Sequence, residues 1–388
     1  MSARLADPAW LAGERYARAA LSFLAEPGDL ALGALLGSAS GQAVLSAVID
    51  PERSAELELG GVDGAARAIR RLRARAAELP SPARVELWLR GGYRLVFPGE
   101  PEWPTQLDDL GEARPVVLWL RGAADLRFTC LRSVAVVGSR AATAYGSVVA
   151  GDLAADLAAR AVTVVSGGAY GVDAYAHRGA LAAGGPTVAV LASGLDFGYP
   201  KGHFELFTAI GQTGVLVSER PPDQPPNRPG FLVRNRLIAA LTRGTVIVEA
   251  ALRSGALNTA RHARQLNRPV LAVPGPVTSE QSAGCHELIR EWDAVLVTSA
   301  AEVIEVIAPL GESDNAELAR DPVVPAAELD PVTASVLRTV STRLGRGPAT
   351  IATLAGVDLD TAMRCLGLLA AGGYVERCDQ GWRARKTK

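Results

Sequence analysis

The chain has 388 residues, more than one compact core holds at roughly 100–200 residues per domain, so two or three domains are expected. Apolar residues at 48% and charged residues at 21% exclude a mostly disordered chain. With 40 Lys plus Arg against 41 Asp plus Glu, an overall basic coat for nucleic acid is excluded, though a local basic patch is not.

Cys130, Cys285, Cys365 and Cys378 lie far apart in no C-x-x-C spacing. That argues against a zinc module or disulfide scaffold and suits a reducing cytosol. No uninterrupted apolar window of about 18 residues exists. Met1 to Arg18 lacks the continuous apolar core of a signal peptide. A cytoplasmic chain with no membrane partner is expected.

Residues 1–85 are rich in Ala, Leu and Arg, with apolar residues at helical spacing: Leu30, Leu32, Leu35 and Leu36, then Val44, Leu45, Val48 and Ile49. Gly28-Asp29, Gly37-Ser38 and Gly60-Gly61 punctuate them, giving a small all-helical domain. Its run Arg67, Arg70, Arg71, Arg73 and Arg75 reads as a solvated helix face rather than a nucleic-acid contact. Two strand-like runs, Tyr93 to Phe97 and Val116 to Leu120, read as a strand extension of the domain that follows, which is expected over 86–310.

From Ser133 the pattern alternates regularly. Apolar β-branched runs begin near Val134, Val162, Thr187, Val215, Thr245, Val270 and Val295, each separated by enough chain for one helix, as in Gly146 to Arg160 and Gly255 to Leu266. Continuous apolar strands are buried on both faces, which predicts parallel pairing and a doubly wound α/β sheet of Rossmann type. Residues 311–329 are acidic and Pro-containing, a linker. Residues 330–388 return to helical spacing (Val332 to Val340, Thr350 to Ala355, Leu359 to Ala370). A hairpin, Tyr374 to Arg377 and Trp382 to Arg385, completes a winged-helix arrangement. Its presumed recognition helix carries one cation, Arg364, too few for sequence-specific duplex readout.

In an open parallel sheet, ligands gather beyond the carboxyl ends of the strands, where helix N-termini present free N–H groups. Gly138-Ser139-Arg140 follows the first parallel strand and Ser166-Gly167-Gly168-Ala169-Tyr170-Gly171 the second. Small residues there admit a phosphate, and Arg140 adds a fork of donors. Any one such turn reads as a plain βα connection; several in one sheet with an arginine read as an anion site. Neither G-x-G-x-x-G nor G-x-x-x-x-G-K-[ST] occurs, which disfavours NAD and ATP, and no cofactor or metal is expected.

Between Lys201 and Arg268 ten basic residues face four acidic ones, a local excess of six in a neutral chain. A Pro-rich segment, Arg220 to Pro229, leads into Phe231 and Arg234-Asn235-Arg236. An aromatic beside guanidiniums suits a single strand, with charge for its backbone and a flat face for a base. Phe231 reads equally as a helix-entry core residue. Asp173 reads as a cap rather than a base, and His177, one turn later, as a structural partner of Asp173 or a ligand contact. Glu249, at a strand end, is the one candidate for hydrolytic acid–base chemistry on a nucleotide; no Ser-His-Asp order or catalytic carboxylate pair stands out.

Several blocks carry a resemblance. They are Val134 to Arg140, Ser166 to His177, Tyr199-Pro200, Ser218-Glu219, Phe231 to Ala239, Val248 to Ala250, Ser254 to Ala260 and Ala272 to Gly275. In that order, over roughly Ser133 to Ile307, they resemble the DNA-processing protein A family, also called Smf. The helical front resembles the family's sterile-alpha-motif-like or helix-hairpin-helix-like module, and the tail its winged-helix-like module. The resemblance implies an extended Rossmann fold in a non-enzymatic, cytoplasmic, single-stranded DNA-binding protein of natural transformation. Such a protein protects incoming strands, recruits and loads the RecA recombinase, and forms a homodimer through the Rossmann domain. Carried onto this chain, it implies a DNA site of Gly138, Ser139, Arg140, Gly167, Gly168, Lys201, Phe231, Arg234, Asn235 and Arg236. Arg140 clasps a phosphate, Lys201 is a pocket lysine and Phe231 stacks a base. His286 stands where the family usually shows an asparagine. The rival readings are a nucleotide phosphoribohydrolase-like enzyme with Glu249 catalytic, and a duplex-binding regulator acting through the tail.

Overall fold

The computed structural model describes residues 13–50, 64–308, 330–341, 345–371, 374–378 and 381–384. The expected linker and the break at Gly60-Gly61 lie outside them. Two compact units result, Met1–Pro309 and Leu310–Lys388.

Among the described residues the first unit opens with four helices, α1 (Glu14–Leu24), α2 (Leu30–Ser38), α3 (Gly41–Ile49) and α4 (Ala65–Arg73). Asp29 starts α2 by accepting the N–H groups of Ala31 and Leu32, and Ser40 starts α3 through Ala43. Leu21, Leu24, Leu32, Leu35, Val44, Val48, Ile69 and Leu72 close a shared core. Leu30 and Ile49, at the outer ends of their helices, stay exposed. The arginine run does more than face water. Arg73 donates to the carbonyls of Ala47 and Val48, and Arg75 to that of Leu24, tying α4 to α3 and α1.

The expected boundary near residue 85 falls inside α5 (Pro82–Arg90), and no break separates helices from sheet. Val85 and Leu89 share a core with Phe23 of α1 and with the strands that follow. Phe23 stacks on Trp88 at 5.5 Å, and Trp119 meets both rings edge-on at 5.9 and 5.8 Å.

Among the described residues nine strands form one sheet: β1 (Arg94–Val96), β2 (Leu118–Gly122), β3 (Ser133–Val137), β4 (Thr163–Ser166), β5 (Thr187–Leu191), β6 (Val215–Ser218), β7 (Thr245–Ile247), β8 (Val270–Ala272) and β9 (Val295–Leu296). Their order is β1-β2-β6-β5-β4-β3-β7-β8-β9, with β3 to β9 parallel and β1 and β2 antiparallel at one edge. The strand-like runs before Ser133 therefore extend the sheet, as their sequence indicates.

Strand alternation sorts the core. Val134 and Val136 of β3 point to one face, Ala135 and Val137 to the other, and all are buried. The first face packs on α7 (Ala144–Ala159), α8 (Val172–Ala182) and α13 (Ala300–Ile307). The second packs on α6 (Leu126–Cys130), α10 (Arg228–Leu241), α11 (Ala256–Gln265) and α12 (Ala283–Glu291). A third cluster joins α9 (Phe204–Thr213) to β1, β2 and β6. Helices on both faces make this a doubly wound sheet of the extended Rossmann type. The chain steps outward from β3 through β6, returns to β7 beside β3, and leaves in the other direction. The β3–β7 boundary is thus the switch point at which such sheets bind ligands.

In the second unit, α14 (Pro331–Thr339), α15 (Pro348–Ala355) and α16 (Leu359–Ala371) precede an antiparallel pair, β10 (Val375–Cys378) and β11 (Gly381–Ala384). Val336, Ile351, Leu366, Leu369 and Val375 form its core. Arg346 bridges to Trp382 and adds a third short edge. Among the described residues of the whole chain, no single helix is long and apolar enough to cross a membrane.

Candidate nucleic-acid interface

A cleft of about 440 Å³ opens at the switch point. Gly138, Ser139 and Arg140 reach it from the end of β3, Phe231, Arg234 and Asn235 from α10, and Arg253, Ser254 and Gly255 from the loop after β7. The loop after β4 supplies Ala169, and α8 supplies Asp173. A small annex of about 30 Å³ adjoins it and shares Arg140, Ala169 and Phe231 as its wall, adding Gly167, Tyr170, Ser193, Tyr199 and Pro200. Sequence-distant residues meet here because every one of them ends a strand or begins a helix on the same edge of the sheet.

The glycine turns are held from below. Ser139 N–H donates to the Glu249 carbonyl at 2.7 Å, and Val172 N–H to the Ser139 carbonyl at 3.1 Å. A Cβ on Gly138 would lie 2.8 Å from the Glu249 carbonyl oxygen and 2.7 Å from a Val172 methyl, so the turn needs glycine. Asp173 accepts the N–H groups of Gly167 at 3.1 Å and Ala169 at 3.3 Å, organising the turn after β4. It acts as a cap for that turn. Burial pushes its carboxyl above the usual carboxylate range, opposed by Arg234 and by those two N–H groups. Gly168, at φ +67°, gives its carbonyl to His203 Nδ1 at 3.0 Å.

Arg140 is exposed, and its guanidinium carbon sits 4.7 Å from the centre of the Phe231 ring. Phe231 is half-buried, with Tyr199 5.6 Å away centre to centre. It is therefore a cleft-wall aromatic rather than a core residue of the helix entry. Arg234 is buried at 6% exposure and donates through Nη1 to the carbonyls of Gly167 and Val190, while its Nε has no partner. Burial pulls its guanidinium down to about 10, still protonated at neutral pH. Asn235 is buried with Nδ2 directed to the Gly255 carbonyl (3.2 Å) and to Asn258 Oδ1 (3.3 Å), fastening α10 to α11 beneath the cleft. Lys201 is exposed on the turn Lys201–His203, directly after the annex residues Tyr199 and Pro200, and does not itself line the cleft.

Arg236 departs from expectation. Its Nη2 donates to both carboxylate oxygens of Glu219 at 2.8 and 2.7 Å, with the two side chains only 6% and 10% exposed. Glu219 also accepts Gly28 N–H at 3.1 Å, so Arg236 braces the helical front against the sheet instead of facing the cleft. The six-charge excess likewise does not form one rim. Arg220 is buried against Glu26 at 2.6 Å, Arg268 donates to three carbonyls at the C-terminal end of α10, and Arg261 and Arg264 sit over Trp292. Guanidiniums carry several donors in a rigid fork, and this fold spends most of them on crosslinks between elements.

His177 is buried, and Nδ1 meets Thr187 Oγ1 at 2.8 Å rather than Asp173. Burial lowers its imidazole to about 3, so it is neutral and structural. Glu249 is 1% exposed, and its oxygens accept the Thr143 N–H (2.9 Å) and hydroxyl (2.6 Å). It locks the start of α7 and does not line the cleft. His286, on α12, brings Nε2 to 3.0 Å from the Gly275 carbonyl in the loop after β8.

Three cleft-side residues escaped sequence reasoning: Arg253, Tyr170 and Tyr199, all exposed. Arg253 lies in a loop without periodicity. The two tyrosines flank a glycine turn and Lys201, and an aromatic next to a cation at a strand end was the signal available.

Fold and cleft define a Rossmann-type α/β protein with a partly cationic, aromatic-edged cleft at the switch point. The family model for DNA recombination-mediator protein A matches residues 94–308, and the chain belongs to that family. It is 48% identical over 312 residues, 77% of this chain and 79% of the relative, to a Mycobacterium tuberculosis protein assigned as DNA processing protein DprA. Protein Smf of Escherichia coli is 41% identical over 220 residues, covering 56% of this chain and 58% of the relative. The crystal structure of DNA processing protein A from Streptococcus pneumoniae superposes with a TM-score of 0.61 at 30% identity, covering 75% of this chain and 96% of that one. A DNA processing protein A from Helicobacter pylori, described for its single-stranded DNA binding mode, gives 0.50 at 32% identity, covering 55% and 94%.

Proposed function

We propose that this protein binds single-stranded DNA in the cleft at the β3–β7 switch point. The observation that carries the reading is the pairing of an exposed guanidinium, Arg140, with the half-buried, cleft-lining ring of Phe231, above glycine turns shaped by buried partners. In this reading Arg140 takes a phosphate, a base lies against Phe231, and the exposed Lys201 follows the backbone outward past Tyr199. Gly138 and Ser139 line the cleft and Gly167 its annex, and the glycines, Gly168 among them, let Val172, Arg234 and Phe207 pack closely beneath the turns that carry them. Arg234 and Asn235 hold the floor, with Arg234 adding fixed positive charge. Arg236 contributes through stability alone.

The role is binding rather than catalysis. Glu249, the residue an acid–base mechanism would use, is committed to Thr143. The relative from Helicobacter pylori is described for single-strand binding, which supports the same class of ligand here. We place the protein in the cytoplasm, in natural transformation and recombination, where it protects incoming strands and recruits and loads RecA. Homodimerisation runs through the Rossmann domain. The tail, three helices and a hairpin, reads as a winged-helix-like module for protein docking; its third helix carries only Arg364, engaged with Thr361 at 3.0 Å.

Competition between single- and double-stranded oligonucleotides of one sequence tests this. A clear single-strand preference is expected. A preference for duplex would transfer the function to another surface.

A further inference from the structure

We propose that the cleft is built for a nucleotide bearing a terminal phosphomonoester, and that Arg253 is the arm that reads it. The inference rests on the single-strand reading and refines it. Arg140 and Arg253 reach the cleft from loops on either side of the switch point, one after β3 and one after β7. Both are exposed, and among the described residues neither has a carboxylate partner. That sets them apart from Arg220, Arg236 and Arg268, whose charges are all paired. Below them Arg234, 6% exposed, lines the same cleft with Nε unpartnered. The sole carboxylate in the lining, Asp173, already accepts two backbone N–H groups.

The charge count decides between an internal and a terminal phosphate. An internal phosphodiester carries one negative charge and offers two free oxygens, which one guanidinium fork satisfies. A phosphomonoester carries roughly 1.5 to 2 charges at neutral pH and offers three oxygens. Two unpaired forks, the unfilled donor of Arg234 and the positive end of α11, which begins at Ala256 in the cleft wall, match the second group. The space agrees. About 440 Å³ lies within the roughly 300–1,000 Å³ that encloses a small ligand, and Phe231, Leu232 and Ile238 give a base and sugar an apolar wall.

The same chemistry is offered by a strand end and by a free nucleotide, and the test separates them. Short oligodeoxythymidylates of one length, carrying a 5′-phosphate, a 3′-phosphate or hydroxyls at both ends, are titrated into the full chain by fluorescence anisotropy. Thymidine monophosphate serves as competitor. We expect one phosphorylated end to bind about tenfold tighter than the hydroxyl-ended strand. Arg253→Ala should shrink that ratio towards one, and Arg253→Lys should restore part of it with a point charge in place of a fork. The melting temperature of both variants should match the parent, because Arg253 is exposed. Displacement of strands by the monophosphate would assign the site to free nucleotide as well. Equal binding of phosphorylated and hydroxyl-ended strands by the parent protein overturns the inference and leaves the single-strand reading intact. An end preference that survives Arg253→Ala overturns the assignment of Arg253. Failure of every strand and of the monophosphate to bind overturns both readings.

Discussion

The guanidinium of Arg140 lies 4.7 Å from the centre of the Phe231 ring, although 91 positions separate the two residues in the chain. One ends the turn after β3 and the other opens α10, so the contact exists only once the sheet has brought those ends together. The pair offers a base a flat face and a phosphate a charge within one side chain's reach. Phe231→Ala should weaken single-strand binding by about 1–3 kcal/mol, the usual worth of a base–aromatic stack. Phe231→Tyr should retain most of it. Anisotropy with a single-stranded oligonucleotide measures both.

Gly167 tests the support beneath the cleft. A Cβ there would fall 2.3 Å from Arg234 Nη1, in a turn where the Gly167 N–H and that of Ala169 already go to Asp173. Gly167→Ala is expected to destabilise the fold by about 1–3 kcal/mol and to displace Arg234. Chemical denaturation reads the first effect, and loss of strand affinity at temperatures where the variant is folded reads the second.

Arg236 and Glu219 should act on stability and not on binding. Glu219→Ala leaves a buried guanidinium without its carboxylate, which costs about 3–5 kcal/mol. Strand affinity of the folded variant should be unchanged, since neither side chain lines the cleft. A large affinity loss in Arg236→Ala without a stability loss would return Arg236 to the binding surface.

His177 predicts a pH dependence. Its folded-state imidazole is held at about 3 by burial, against an ordinary value of 6.5. The unfolded chain therefore takes up a proton that the folded one refuses, and the contribution is lost as pH falls below about 6.5 towards 3. The slope is about 1.4 kcal/mol per pH unit well inside that window. Asp173, whose carboxyl is held high by burial, contributes with the opposite sign. The readout is therefore the difference in denaturation free energy between the parent and His177→Asn at pH 7 and pH 5. The parent should lose more stability than the variant.

The parallel strands β3 to β8 were legible because each is a β-branched run buried on both faces, with room for one helix before the next; β9 carries the same kind of residues but lies exposed at the sheet edge. Their spatial order was not, since periodicity reports burial and not neighbours. The same limit governs the site. Arg140, Phe231 and the glycine turns could be placed at strand ends from local pattern alone. Arg234 and Arg236 looked equivalent in the sequence, yet two positions on a helix of 3.6 residues per turn point about 200° apart. Only one of them can face the cleft, and which one depends on where Glu219 lies. Arg253 was invisible for the converse reason. A loop has no period, and its place beside Arg140 follows from the switch between β3 and β7.

The most direct measurement is a salt titration of single-strand affinity for the parent protein and Arg140→Ala. The account predicts a weaker variant for every sequence tested, with the log–log salt slope reduced by about 0.7, the value of one lost phosphate contact on a single strand. An unchanged affinity and an unchanged slope in a folded Arg140→Ala protein would contradict it.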